Sequence, residues 1–328
     1  MGETELLTRA RRGDRDAFDA AMTRHQRELL VHCYRMLGSL QDAEDVLQET
    51  MLAAWRGLDE FEGRSSLRTW LYRIATNRCL NARRAAQRRP ARAWDVPGVQ
   101  PPDPTQLGEV PWLEPLPDHL AEDLPHDPEA RYERLESISL AFVTALQLMP
   151  PRQVAVLLLR DVLGFPATEV AQLLDTTVES VTSALKRARA SVQRSRAIGH
   201  PPPPRSPAEA ALVERFVRAY EAADVEAVVA LLTEDVFTSM PPIPFEYVGK
   251  DAAARFLSSL FAAGRRFTLV PARANGQPAL GAYVLGADGV RHAAGLFVLR
   301  LEGERIRAMT RFENTVLPGF GLPRSLPD

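Results

Sequence analysis

The sequence predicts a multidomain chain, two all-α domains followed by an α+β domain, and three observations carry that prediction. Apolar residues recur at helical spacing through residues 1–92 and again through 129–198. An acidic, proline-rich interval, 93–128, separates these stretches and has almost no periodicity. After a second proline-rich interval, 199–206, residues 207–323 change character, with helical segments giving way to short apolar runs bounded by turn residues.

In chain order, Leu6, Leu7 and Ala10 begin a helix that breaks near Gly13 and Asp14, and Phe18, Ala21 and Met22 resume the spacing. His25 to Leu37 follows and stops at Gly38. Asp42 to Leu58 carries Val46, Leu47, Met51, Ala54 and Trp55 on one stripe, behind an acidic first turn of the kind the helix dipole favours. Ser65 or Ser66 can cap a helix running to about Arg89, where Pro90 ends it. Leu135 to Met149 is stopped by Pro150-Pro151, and Gln153 to Asp161 ends before Gly164. Glu169 to Leu174, a turn through Asp175-Thr176-Thr177 and a basic helix from Val178 to about Arg196 make the outline of a helix-turn-helix. In the last domain, helices are expected at Glu209–Ala222, Val225–Leu232 and Asp251–Phe261. Strands are expected at Val236–Met240, Phe267–Ala274, Leu280–Leu285, Ala293–Leu301 and Ile306–Phe312, with hairpin turns at 287–289 and 302–304.

The apolar and charged fractions, 45% and 25%, are those of an ordinary globular chain. No apolar run is long enough to cross a bilayer, and Glu3 and Glu5 argue against an export signal. Cys33 and Cys79 form neither a disulfide framework nor a metal-spaced cluster, so a cytoplasmic setting without metal or cofactor is expected. The net charge of −2 hides segregation. Arg64 to Arg92 holds nine arginines and no acid, Ala93 to Ala130 holds nine acids and no Lys or Arg, and Ser180 to Arg196 is basic throughout. Two basic helical segments flanking an acidic interval suit contact with a phosphate backbone better than a merely solvated face.

On the basic helix, Val178, Val181, Leu185 and Ala188 are expected inward, leaving Thr182, Ser183, Lys186 and Arg187 outward to meet a major groove. Phe61, Trp70 and Tyr72 lie among the arginines of the first basic block, the pairing of rings and cations that single-stranded DNA binding uses. Trp70 is assigned to the core with Leu67, Leu71 and Ile74, and Phe61 to a loop that touches DNA. Within the acidic interval, Trp112-Leu113-Glu114-Pro115-Leu116-Pro117 is either a docking segment or a local apolar tuck.

Three runs, Tyr34 to Ser39, Asp42 to Glu49 and Thr69 to Asn77, with Phe61 to Arg64 between the last two, resemble region 2 of extracytoplasmic-function RNA polymerase sigma factors. The stretch from Leu148-Met149-Pro150 through Lys186-Arg187-Ala188-Arg189 resembles their region 4. The resemblance implies a transcription initiation subunit that binds the β and β′ subunits of core polymerase and promoter DNA, with no membrane contact. It assigns Asp42, Glu44, Asp45, Gln48 and Glu49 to the β′ clamp helix. It assigns Phe61, Arg64 and Arg68 to the loop that helps melt DNA and holds a flipped base, and Arg73, Asn77 and Arg78 to reading of the minus-ten element. Arg83 and Arg84, further along the same basic helix, are counted as DNA-binding. Thr182, Ser183, Lys186 and Arg187 match positions that meet the minus-thirty-five element, although many relatives carry Arg where this chain has Thr182. The acidic interval would run through the polymerase cleft.

Residues 207–323 resemble the SnoaL-like cone, in which helices pack on a curved sheet around a pocket, on the strength of Ser239 to Pro242, Tyr247 to Ala252 and Phe256-Leu257. Trp112 to Pro115 resembles a linker motif of sigma factors with this fusion. Asp235, His292 and Arg311 are the expected polar residues of the pocket, without a constellation that fixes an acid–base pair. The reading is a sigma factor regulated in cis by its tail, not an enzyme. A tail that binds or turns over a small molecule is the open alternative. A fused regulator would make an anti-sigma partner unnecessary.

Overall fold

The structure, a computed structural model, describes residues 2–86, 91–109, 112–121, 137–195 and 201–327. It divides into two compact units, one of Met1–Arg89 with His119–Arg196 and one of Pro90–Asp118 with Ala197–Asp328.

The first unit is helical, and its helices start where short polar side chains can take up unpaired amides. α1 spans Glu3–Ala10. Asp14 caps α2, Arg15–Leu37, accepting from the Ala17 amide at 3.0 Å, and the left-handed Gly38 ends it at φ 76°. Ser39 caps α3, Leu40–Arg56. Of the two serines ahead of α4, Leu67–Ala86, it is Ser66 whose hydroxyl accepts from the Thr69 amide, at 3.0 Å. α5 (Leu140–Gln147) and α6 (Pro151–Leu157) follow, and a π turn over Leu158–Val162 leads to α7 (Ala167–Leu173) and α8 (Val178–Ser195). The spacing of Phe18, Ala21 and Met22 and the stretch His25 to Leu37 belong to one continuous helix, because no glycine or proline interrupts them. Val178, expected inward, is 37% exposed at the first position of α8, whereas Val181, Leu185 and Ala188 are buried.

His32 lies at the centre of this unit, 2.9 Å from the Thr76 hydroxyl. Burial, helped by the charges of Arg35 and Arg68, pushes its pKa down to about 3 from an ordinary 6.5. Below pH 6.5 the unfolded chain takes up a proton that the folded unit refuses, so stability falls with pH until the folded value is reached. Between pH 7 and pH 5 this single group is expected to cost about 2 kcal/mol. Urea unfolding at the two pH values measures it, and His32→Gln should flatten the difference.

The second unit is built on an eight-stranded sheet in the order β1-β3-β2-β7-β6-β5-β4, with β8 paired to β6. The strands are β1 Gln106–Leu107, β2 Leu232–Met240, β3 Ile243–Val248, β4 Phe267–Ala274, β5 Gln277–Leu285, β6 Arg291–Glu302, β7 Arg305–Phe312 and β8 Ser325–Leu326. All pairings are antiparallel except β2 with β7. α9 (Pro207–Glu221), α10 (Val225–Ala230) and α11 (Lys250–Ala262) cover one face, and Leu212, Phe216, Tyr220, Leu257, Phe261 and Leu299 lie in the core between. β3 has no counterpart in the sequence reading, since Pro241, Pro242 and Pro244 mask its alternation. Asn275-Gly276, the turn between β4 and β5, is also absent from that reading, although this dipeptide is a strong hairpin signal.

The acidic interval is not a free linker. Leu113, Pro115, Leu116 and Pro117 are buried, and Val99 joins the core of the second unit. β1 extends the sheet edge, with Gln106 opposite Glu246. The Thr105 amide donates to the Glu246 carbonyl at 2.9 Å, and the Tyr247 hydroxyl to the Pro102 carbonyl at 2.9 Å. Leu116 and Asn275 exchange two hydrogen bonds of 2.8 Å, and Asp118 takes the Arg273 guanidinium at 3.1 Å and the Gly276 amide at 2.7 Å. Leu113 and Pro115 to Pro117 thus dock on this unit while Trp112 itself is exposed, and among the described residues the contacts of the interval run from Trp94 to Asp118.

Candidate nucleic-acid interface and tail pocket

In the first unit the side chains expected to meet polymerase line one face of α3. Glu44, Asp45, Gln48 and Glu49 are exposed and Asp42 is half-buried in the first turn. Glu49 accepts from Arg78 of α4 at 2.7 Å, so part of this acidic face already holds a cation of the neighbouring helix.

On α4, Arg73, Asn77 and Arg84 are exposed, and Asn81 falls in line between them. Spacings of four, four and three residues place the four on one helical stripe. Asn81 was absent from the sequence reading, and its i+4 offset from Asn77 is the signal that finds it. On α8, Thr182, Ser183, Lys186 and Arg187 are all exposed, with the Thr182 hydroxyl turned back to the Val178 carbonyl at 2.9 Å. Arg189 is held by Asp161 through two hydrogen bonds of 2.8 Å. These faces present cations and amides to solvent, as readers of phosphate and base edges must.

Three expected DNA contacts are placed differently. Arg83 is 7% exposed, and its Nη2 donates to the carbonyls of Leu146, Gln147 and Met149 at 3.4, 3.0 and 3.1 Å. It caps the end of α5 rather than facing solvent, and burial pushes its pKa down to about 10. Phe61 is 8% exposed and packs on Trp70 at 4.9 Å between ring centroids, with its carbonyl taken by Arg11. Trp70, assigned to the core from sequence, is the half-exposed member of the pair, because the loop before α4 folds back over α1 and the ring of Phe61 fills the space. Arg68 donates to Glu28 at 2.9 Å and lies over the rings of Tyr72 and Phe165 at 4.9 and 5.1 Å. Although burial opposes it, hydrogen bonding from His25 and Arg68 holds the Glu28 carboxyl below its ordinary value. Next to Arg68, the Thr69 hydroxyl donates to Glu169 of α7 at 2.6 Å. Arg64 is exposed and ion-paired with Glu62 at 2.8 Å. The loop side of α4 is thus occupied by the helix-turn-helix, while its Arg73–Asn77 face stays open.

In the second unit, a pocket open to solvent lies between the sheet and the helices. Aromatic and aliphatic side chains line it, among them Tyr220, Phe256, Phe267, Phe297 and Met309, and Trp94 and Val96 of the interval close one side. Trp94 stacks along Phe245, meets Phe256 edge-on and donates to the Val99 carbonyl at 2.8 Å. Two cations, Arg265 and Arg311, and the Thr238 hydroxyl complete the lining. Of the three polar residues expected here, only Arg311 is present. Asp235 is exposed and paired with Arg307, and His292 is exposed and bonded to Asp288 at 2.8 Å beside the β5–β6 turn. Strand alternation turns Asp235 away from the buried Val236 face, and among the described residues no acid–base pair lines the cavity. Among the described residues no group of three His, Cys, Asp or Glu could hold a metal, and no helix is long and apolar enough to cross a membrane.

The chain matches the Sigma-70 region 2 family over residues 21–89, Sigma-70 region 4 over 139–192 and the SnoaL-like domain over 213–309. It is 43% identical over 324 residues to the ECF RNA polymerase sigma factor SigG of Mycobacterium tuberculosis, covering 96% of this chain and 86% of that one. The chain is an extracytoplasmic-function RNA polymerase sigma factor. Its partners are accordingly core RNA polymerase and promoter DNA, and it is an initiation subunit rather than an enzyme. The sigma factor also shares its fold with the crystal structure of SigJ from Mycobacterium tuberculosis, at a TM-score of 0.56 and 23% identity over 91% of this chain and 96% of that one. A looser likeness, TM-score 0.37 at 20% identity over 54% of this chain and 95% of the other, is to RpoE of Bartonella quintana, solved with the anti-sigma factor NepR. Nothing in these comparisons supports the expectation that the sigma factor needs no anti-sigma partner.

Proposed function

We propose that the C-terminal domain restrains the sigma factor by holding the interval between its two DNA-reading regions. The single observation that carries this reading is β1, a strand of the acidic interval hydrogen-bonded into the sheet of the tail. The promoter elements assigned by resemblance lie about 25 base pairs apart, or roughly 85 Å at 3.4 Å per step. A compact unit of about 150 residues is only about 40 Å across, from its expected radius of gyration. Regions 2 and 4, packed together through Arg83 and Thr69, must therefore separate before both read DNA at once. Residues 91–118 fully extended reach about 95 Å, and folding them onto the tail withdraws that reach from the connection.

On this reading α3 engages polymerase through Asp45 and its neighbours, and the Arg73–Asn77–Asn81–Arg84 stripe reads the minus-ten element. Thr182, Ser183, Lys186 and Arg187 read the minus-thirty-five element, and the protein works in the cytoplasm, where its polymerase is. Run-off transcription with core polymerase tests the restraint by comparing the full chain with one ending at residue 205. The shortened chain should initiate more strongly on the same promoter; equal or weaker initiation would sink the proposal. Lys186→Ala should weaken promoter binding of both forms alike and lower the salt slope by about one unit.

A further inference from the structure

We infer that the tail pocket binds a compact apolar anion, an aromatic or aliphatic monocarboxylate, with its acid group against Arg265 and Arg311. The pocket is lined by rings and aliphatic chains, which suit an apolar body. Its charged groups are both cations. Arg311 donates to the Ala294 carbonyl at 2.6 Å and Arg265 to the Pro97 carbonyl at 3.0 Å, and among the described residues neither has a carboxylate within ion-pair distance. The acids nearest Arg311, Asp95 and Glu313, are both taken by Arg92, at 3.2 and 2.7 Å.

Burial lowers the pKa of both guanidinium groups; for Arg311 the charge of Arg265 adds to this, and Tyr220, Glu313 and Asp95 oppose it without cancelling it. Two like charges facing one apolar cavity are costly unless an anion joins them. A second observation points the same way. Thr238 is 5% exposed, lines the pocket, and its hydroxyl finds no hydrogen-bond partner among the described residues. Thr238 sits opposite Met309 in the parallel β2–β7 pairing, and Arg311 lies two residues further along β7 on the same face. A buried hydroxyl and a guanidinium on one face offer donors that a carboxylate accepts in charge-assisted bonds, roughly twice as strong as those a neutral alcohol oxygen accepts.

Because Trp94 and Val96 belong to the interval that joins the sigma regions, an occupant of the pocket packs against that interval. Any effect of occupancy on initiation rests on the restraint proposed above; binding itself does not. Calorimetry on the purified full chain, without polymerase, compares 3-phenylpropionate and octanoate with 3-phenylpropanol and octanol. At least one acid should bind about tenfold or more tightly than its alcohol, as one charge-assisted hydrogen bond implies. Arg311→Gln and Arg265→Gln should each remove that preference while leaving alcohol binding in place. Trp94 is one of four tryptophans, and Trp94→Phe should abolish the acid-induced fluorescence change without abolishing the heat of binding. If neither acid saturates the chain, or acids and alcohols bind alike, the inference is wrong. Arg265, the less buried of the two, keeps the test decisive should Arg311→Gln fail to fold. Run-off transcription reads the restraint separately, so the two failures are distinguishable.

Discussion

Replacing Arg83 by Ala should lower the stability of the helical unit by about 3 kcal/mol, with no loss of a phosphate contact. The cost follows from what the side chain covers. Its Nη2 serves three carbonyls at and beyond the end of α5, and all of them lose their donor at once. Each buried carbonyl left without a donor costs about 1–3 kcal/mol, since it stays desolvated, and partial relaxation keeps the sum near the upper end of one such loss. A guanidinium at a helix C-terminus also faces the negative end of the helix dipole. Arg83→Lys should recover less than half, because an ammonium cannot fan its donors across separate acceptors in the same way. Urea unfolding measures the loss. Promoter binding at several salt concentrations separates the two roles: a cap leaves the salt slope unchanged, whereas a phosphate contact lowers it by about one. A lowered slope at full stability would return Arg83 to the DNA-binding set.

The second large effect is expected at Asn275. This residue is fully buried and holds a left-handed backbone at φ 57°, a conformation that Asn tolerates and Ala does not. Its side-chain oxygen accepts the Leu116 amide at 2.8 Å, and its own amide donates to the Leu116 carbonyl. Asn275→Ala combines backbone strain of about 1 kcal/mol with an orphaned buried amide worth about 2 kcal/mol. Asn275→Gly relieves the strain but not the orphan, so it should recover about one third of the loss. Thermal unfolding gives the totals, and hydrogen exchange at the Leu116 amide reports the contact itself. Protection of that amide should collapse in both variants. Unchanged exchange would mean that Asn275 does not tether the interval.

Much of the helical architecture was legible from local pattern. Ser66, one of the two serines named from sequence, caps a helix, and Gly38 closes one, because capping depends on residues within a turn of each other. The exposed face of α8 was legible for the same reason, whereas the α4 stripe, with Asn81 in it and Arg83 outside it, was read only in part. β3 was not, since prolines disguise its period. Asp235 and His292 were misassigned to the pocket because residue type suggests chemistry, whereas the pleat decides which way a side chain points.

Local sequence determined the helices, the helix-turn-helix, the segregated charge and the family. Periodicity specifies which face of an element is apolar and which is charged, and those preferences act over a few residues. Tertiary structure alone decided what covers each face. Arg83 becomes a buried cap only through carbonyls 63 to 66 residues away, and Arg68 is engaged by Glu28, 40 residues away. An acidic interval that reads as a free tether becomes a strand and a pocket wall through partners such as Glu246, Asn275 and Phe256. A proline-rich segment has no internal hydrogen-bonding pattern to betray its fate, so only the sheet edge and the cavity it meets could reveal it.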